Sequence, residues 1–324
     1  MFEQTDVIRT ATRLNPAWSD PDAIVSLIRS AGPLSPLANY AANDAEMATL
    51  STQENSFTPP WFRQDFVRGG EVLVDGAEVI FNNPNFLAAA RELAGPDAVL
   101  RPTAVYVNVM GPTPFAFPAH LDIAAFRGIT RAHYPIWLLK VMMSSGLFEE
   151  WRTTIFTAVS WFYDGEGGDF HFWPEGPSGT VGVESPPFSN VGVIADNETT
   201  FHGVAPLGAP GATMPEGLHS GCHLVRGDGG WDIVDGDRLV SRIDDADARI
   251  TVSWKAECFA DAEAAQRVDD GEDALTLDMV VDRFLDDLAA RGIEAERPAD
   301  PFGDEAFVAV LAAAYPEVAP ELVA

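Results

Sequence analysis

Apolar residues recur along this chain with two different periods, and the change between them divides it into three zones. Up to about residue 97 the spacing is helical, with long polar interruptions. Asp20-Pro21 opens one helix, because aspartate caps a helix start and proline fits its first turn. Ile24, Leu27, Ile28 and Ala31 then share one face, and Gly32-Pro33 stops the helix. Asn83-Pro84 opens a second helix carrying Phe86, Leu87, Ala90 and Leu93, closed by Gly95-Pro96. Between them, Pro36 to Arg68 is rich in small and polar residues and reads as loop, and Glu71 to Phe81 reads as a hairpin turning at Asp75-Gly76.

From about 98 to 260 the pattern becomes that of strands. Val105–Met110, Phe115–Leu121, Thr153–Tyr163, Asp169–Trp173, Val191–Ala195, Thr199–Val204 and Arg249–Phe259 are rich in β-branched and aromatic residues between glycine and proline breaks. One helix, about Pro135 to Ser144, interrupts them. Many short strands in series imply a sandwich or jelly roll. Asp235-Gly236 turns a further small hairpin, Trp231–Val234 with Arg238–Val240, inside a long connection from Leu207 to Asp247.

The third zone is helical again. Thr276 caps a helix whose stripe is Leu277, Val280, Val281, Phe284, Leu285 and Leu288, ended by Gly292, and a shorter helix covers Asp304 to Ala314. The acidic run Asp269 to Asp273 reads as a solvated linker. The expectation is an α+β protein with a mainly β core. A helical region (1–97) packs on that core (98–260), which carries the insertion 207–247, and a helical region (261–324) follows.

Composition narrows the partners. The 324 residues carry 20 basic and 49 acidic side chains, a net charge of −29. Such a surface repels nucleic acid and anionic membranes. It favours cationic substrates slightly, and a solvated acidic shell explains it equally well. Cys222 and Cys258 make no disulfide framework, and Met1 to Asp6 shows no basic-then-apolar leader. The most apolar stretch, Tyr134 to Leu147, is broken by Lys140 and too short to span a bilayer. A soluble, reducing, cytoplasmic setting is expected.

The candidate chemistry lies in His120-Leu121-Asp122 and the later His202. Two imidazoles and one carboxylate hold one face of Fe(II) and leave positions free for a co-substrate and O2. Positions two apart on a strand point to one side, which suits His120 and Asp122. The residues alone leave open that His120 and Asp122 belong to a loop and that His202 is a core histidine. Arg249, Thr251, Ser253 and Lys255 alternate onto one face of a strand, a polar strip unusual for a purely structural one. Alternatively, Arg249 ends the strand in solvent, paired with Asp245 or Asp247. His171, Tyr106, Asn108, Thr153 and Trp173 are candidates to line a pocket, and core packing accounts for them equally well; His133 reads as structural. His219 and His223 lack a partner pair at zinc spacing. The chain has no phosphate-cradling loop and no G-x-G-x-x-G strand–helix unit.

His120-x-Asp122, His202 within Asn197 to Val204, and the basic strand after them resemble the double-stranded β-helix (jelly-roll) core of the Fe(II)- and 2-oxoglutarate-dependent oxygenases. Gly167 to Pro174 and Gly192 to Asn197 resemble the strands that precede the second histidine in that family. The resemblance covers about half the chain. It implies a dioxygenase in which His120, Asp122 and His202 bind Fe(II). Arg249 and Thr251 would hold the far carboxylate of 2-oxoglutarate, with Lys255 and Arg242 behind them. The product side would be succinate and CO2 with a hydroxylated small molecule, amino acid or peptide. Asp122 argues against halogenation, because halogenating members lack that carboxylate. Arg249 follows His202 by 47 positions, further than the family pattern, so 207–247 reads as an insertion and a lid over substrate. Two other readings stand beside this one: a cupin-like metal enzyme without oxygen chemistry, and a non-enzymatic acidic binding module. The helical flanks either buttress the core or form a homodimer surface.

Overall fold

The computed structural model describes residues 11–39 and 58–322. Its elements run β1 (Ala11–Leu14), α1 (Pro21–Ser30), β2 (Ser35–Pro36), β3 (Trp61–Arg68), β4 (Glu71–Val72), α2 (Glu78–Phe81), α3 (Pro84–Ala94), β5 (Val99–Met110), β6 (Phe117–His120) and β7 (Ala125–Phe126). They continue with α4 (Ile136–Ser145), β8 (Arg152–Phe162), β9 (Phe170–Trp173), β10 (Gly182–Glu184), β11 (Gly192–Asp196), β12 (Phe201–Val204), β13 (His223–Gly227), β14 (Gly230–Asp235) and β15 (Arg238–Asp244). The chain ends in β16 (Arg249–Phe259), α5 (Ala262–Asp269), α6 (Leu277–Ala290) and α7 (Glu305–Ala314).

The architecture is mainly β, with helices added at the flanks. The major sheet runs β1-β11-β8-β16-β5-β3-β2, with β4 added on β3 and β7 on β8; a smaller sheet runs β10-β9-β12-β6. Their pairings are antiparallel. Strand β16 sits centrally between β8 and β5, and its sequence explains its two faces. Ile250, Val252, Trp254 and Ala256 point outward and are buried with Ile24 and Ile28 of α1 and Phe86 and Ala90 of α3. Each of the larger aliphatic and phenylalanine side chains among them contributes roughly 1.5–3 kcal/mol when removed from water. Arg249, Thr251 and Ser253 take the opposite parity and face a cavity between the two sheets.

The helix starts follow the capping residues. Asp20, Asn83, Thr276 and Asp304 each accept a backbone N–H one to three positions into the helix. Val280, Val281, Phe284 and Leu288 of α6, with Phe307 and Leu311 of α7, close a second core with Leu138, Leu139 and Met142 of α4. No helix among the described residues is long and apolar enough to cross a membrane.

Four expectations need correction. The stretch read as loop contains β3, paired along β5 from Trp61 to Val67; its portion 40–57 lies outside the described residues. The expected hairpin at Asp75-Gly76 does not form. The chain reverses at Gly69 and Gly70, both at positive φ, pairing Val67 with Val72, and Glu78–Phe81 is helical. The acidic linker begins as α5, whose last residue, Asp269, takes both guanidinium nitrogens of Arg101 at 2.5 and 2.6 Å. The insertion is a three-stranded meander, β13-β14-β15, rather than a hairpin alone. Its Leu224, Trp231, Ile233 and Ile243 join the main core, and Leu34 and Leu224 exchange backbone hydrogen bonds.

Candidate metal centre

The smaller sheet assembles the two histidines. His120, the last residue of β6, lies directly opposite His202 of β12 in the antiparallel pair. Their rings are 4.4 Å apart, centre to centre. Asp122 follows just beyond the end of β6, and its N–H donates to the Asn197 carbonyl at 2.8 Å, which fixes the turn. One ligand atom from each of His120, Asp122 and His202 lies within 4.8 Å of the others. Asp122 is past the strand end, so strand parity does not place it; the turn tied to Asn197 brings it beside the two histidines.

Backbone contacts orient both imidazoles. His120 Nδ1 is 2.9 Å from the Pro118 carbonyl, and His202 Nδ1 is 3.1 Å from the Thr200 carbonyl. A carbonyl only accepts, so each Nδ1 donates to it and each Nε2 is the nitrogen left to face a metal. Burial, together with the neighbouring His120, pulls the His202 pKa down to about 4, so its ring is neutral at physiological pH. Burial alone would raise the Asp122 pKa. Lys255 and the two histidines outweigh it and hold the carboxylate well below the usual range. Lys255 Nζ donates to Asp122 Oδ2 at 2.7 Å and to Thr157 Oγ1 at 3.1 Å. The donor set is therefore two imidazole nitrogens and one anionic oxygen, which suits a divalent ion such as Fe(II).

Across the same cavity lies Arg249, 1% exposed. Its Nε donates to the Gly168 carbonyl at 2.9 Å and its Nη1 to Thr251 Oγ1 at 2.8 Å. Its Nη2 is buried with no hydrogen-bond partner. Burial pulls its pKa from 12.5 to about 9, and no carboxylate forms a salt bridge with it among the described residues. The guanidinium still carries its charge at neutral pH. The alternative reading, a solvent-exposed Arg249 paired with Asp245 or Asp247, does not hold: Arg249 is buried and Asp245 binds Arg226.

The cavity has a volume of about 100 Å³, and Trp61, Tyr106, Asn108, Trp161 and Phe170 line it beside the ligand set and Arg249. Of the proposed pocket residues, Tyr106 and Asn108 reach it. His171 does not: on β9 it has the parity opposite to Phe170 and faces a separate cleft along Leu207 to Ala212. Trp173 packs with Ala119 and Phe201. Thr153 lies on a third, polar pocket near Arg127. Arg242 is bound to Asp232 on the meander. No residue of 207–247 lines the cavity, so the lid expectation is withdrawn; the meander's apolar face is spent on the core. Two charged residues escaped the sequence reading in these roles. Lys255 grips the candidate metal carboxylate, a contact between positions 133 apart. Glu198 is 3% exposed, with neither carboxylate oxygen hydrogen-bonded. The inward parity of Lys255 on β16 was a visible signal for the first; nothing in the sequence marked the second.

No protein-family model and no curated protein matches the sequence. Among solved structures, the chain is similar to a 2OG-Fe(II) oxygenase family oxidoreductase from Burkholderia pseudomallei, at 11% identity and TM-score 0.41 over 76% of this chain and 84% of that one. It is also similar to a Pseudomonas putida prolyl-4-hydroxylase (12% identity, TM-score 0.38, 77% and 92% covered). HygX from Streptomyces hygroscopicus, solved with nickel, 2-oxoglutarate and hygromycin B, is a third (9%, 0.36, 77% and 83%). Likenesses this distant carry no functional argument, so the functional reading rests on the residues of the site.

Proposed function

We propose that the chain is a non-haem Fe(II)- and 2-oxoglutarate-dependent oxygenase on a double-stranded β-helix core, hydroxylating a small molecule, amino acid or peptide. The observation that carries this reading is the unpartnered Nη2 of buried Arg249, facing the same cavity as the His120, Asp122 and His202 donor atoms. A buried guanidinium with an open donor calls for an anion, and its planar fork suits a carboxylate. A cavity that offers divalent-metal ligands and a carboxylate anchor together suits a dicarboxylic oxoacid better than it suits a lone metal ion.

When bound, Fe(II) with 2-oxoglutarate supplies the O2 chemistry, releasing succinate and CO2 and oxidising the substrate. The protein's own part is positional. His120 and His202 present Nε2, each held by the carbonyl two residues earlier. Arg249 and Thr251 would hold the far carboxylate of the oxoacid. Trp161, Phe170, Val159 and Met110 keep water from that end of the cavity. Trp61, Tyr106 and Asn108 remain to face substrate. The test is succinate release from 2-oxoglutarate with Fe(II) in air, screened against amino acids, peptides and small molecules. Stimulation by one substrate class supports the reading. Metal binding without any 2-oxoglutarate binding would favour a cupin-like enzyme instead.

A further inference from the structure

We infer that Lys255 is a positioning residue that restricts Asp122 to ligation through one oxygen; the inference rests on the Fe(II) reading above. The two carboxylate oxygens are not equivalent. Oδ2 accepts from Lys255 Nζ at 2.7 Å, whereas Oδ1 lies 3.8 Å from His202 Nε2, on the side where the imidazoles converge. Lys255 is itself held, donating to Thr157 Oγ1 at 3.1 Å, and the Asp122 backbone is tied to Asn197. Neither end of the ion pair is left to swing.

The consequence is a count of free coordination positions. A carboxylate left free can take a metal with both oxygens. With two histidines already bound, chelation by Asp122 would leave one position too few for a two-point oxoacid together with O2. A cation on Oδ2 competes for that oxygen and keeps the position free. Strand β16 thus presents both the carboxylate anchor, Arg249, and this clamp on one face, six residues apart.

Mn(II) binding to the full chain, with bound water counted by proton relaxation, tests the assignment. Lys255→Met should bind Mn(II) more tightly, because Oδ2 is freed to chelate and a cation beside the site is removed. It should also hold one exchangeable water fewer than the wild type. Lys255→Arg, which keeps a cation on Oδ2, should retain the wild-type water count. A residue that merely supported the fold would weaken binding when removed, and tighter binding also shows that the variant is folded. An unchanged water count in Lys255→Met beside normal wild-type binding overturns the clamp alone. Failure of the wild type to bind Mn(II), or equal binding by His202→Ala, overturns the metal reading and the clamp with it.

Discussion

Arg249→Met separates the cost of a buried cation from its use. The guanidinium is fully enclosed and no carboxylate pairs with it, so burial lowers its pKa from 12.5 to about 9. At about 1.4 kcal/mol for each pH unit, that drop is a penalty of about 4–5 kcal/mol on the ligand-free folded state. The folded-state value lies below the unfolded one. The penalty is therefore fully present below pH 9 and fades as pH rises toward 12.5. Methionine removes it but forfeits the bonds from the charged guanidinium to Gly168 O and Thr251 Oγ1, about 1.5 kcal/mol each at the lower end for a charged donor. The ligand-free variant should gain about 1–2 kcal/mol at neutral pH, read as a Tm a few degrees higher. Oxoacid binding should move the opposite way. Removing one partner of a buried charge pair costs about 2–5 kcal/mol, or about 30-fold to more than 1000-fold in Kd. Thermal unfolding and anaerobic calorimetry with 2-oxoglutarate read the two effects separately, and metal binding should persist. A variant that melts lower than wild type, or binds 2-oxoglutarate as tightly, refutes the reasoning.

Gly168→Ala should injure the same anchor indirectly. Gly168 has φ +76°, and an added Cβ would sit 2.5 Å from Leu207 Cδ1 and 3.0 Å from Arg249 Cδ. The expected result is a loss of about 1–3 kcal/mol in stability with weaker 2-oxoglutarate binding; a wild-type melting curve counts against it. Glu198→Gln should stabilise the protein at pH 8. Burial raises the Glu198 pKa well above 4.5, against the opposing pull of Lys255, so its charged form is disfavoured in the folded state. That cost is absent below pH 4.5 and grows as pH rises toward the folded-state value. Denaturant melts should show a gain of about 1–3 kcal/mol at pH 8 and none near pH 4. A loss at pH 8 would show that the carboxylate is instead paired favourably with Arg152, 3.6 Å away.

What was legible in the sequence was whatever local chemistry decides. Strand β16 has the bounds its alternation gives, Arg249 to Phe259, and the caps Asp20, Asn83, Thr276 and Asp304 start their helices. Strand β3 was hidden because its charges break the alternation and its register shifts between Asp65 and Val67, moving later residues to the other parity. Asp75-Gly76 looked like the better turn, yet Gly69-Gly70 reverses the chain, since it brings Val67 opposite Val72. At the site, His120, Asp122 and His202 could be grouped by their spacing and order, although Asp122 reaches the histidines from a turn and not from the strand expected. The alternation of β16 put Lys255 and Arg249 on its inward face, but which partner Lys255 grips and how deeply Arg249 is buried depend on how β16 lies against the smaller sheet. The meander failed as a lid for a similar reason: Trp231, Ile233 and Ile243 are claimed by the core.

The central claim is that His120, Asp122 and His202 hold Fe(II) while Arg249 holds an oxoacid in the same cavity. Anaerobic addition of Fe(II) and 2-oxoglutarate, followed in the visible spectrum, tests it most directly. The account predicts a weak charge-transfer band in the wild type that needs both components and is lost in His202→Ala. A wild-type protein that shows no band with both components present would contradict it.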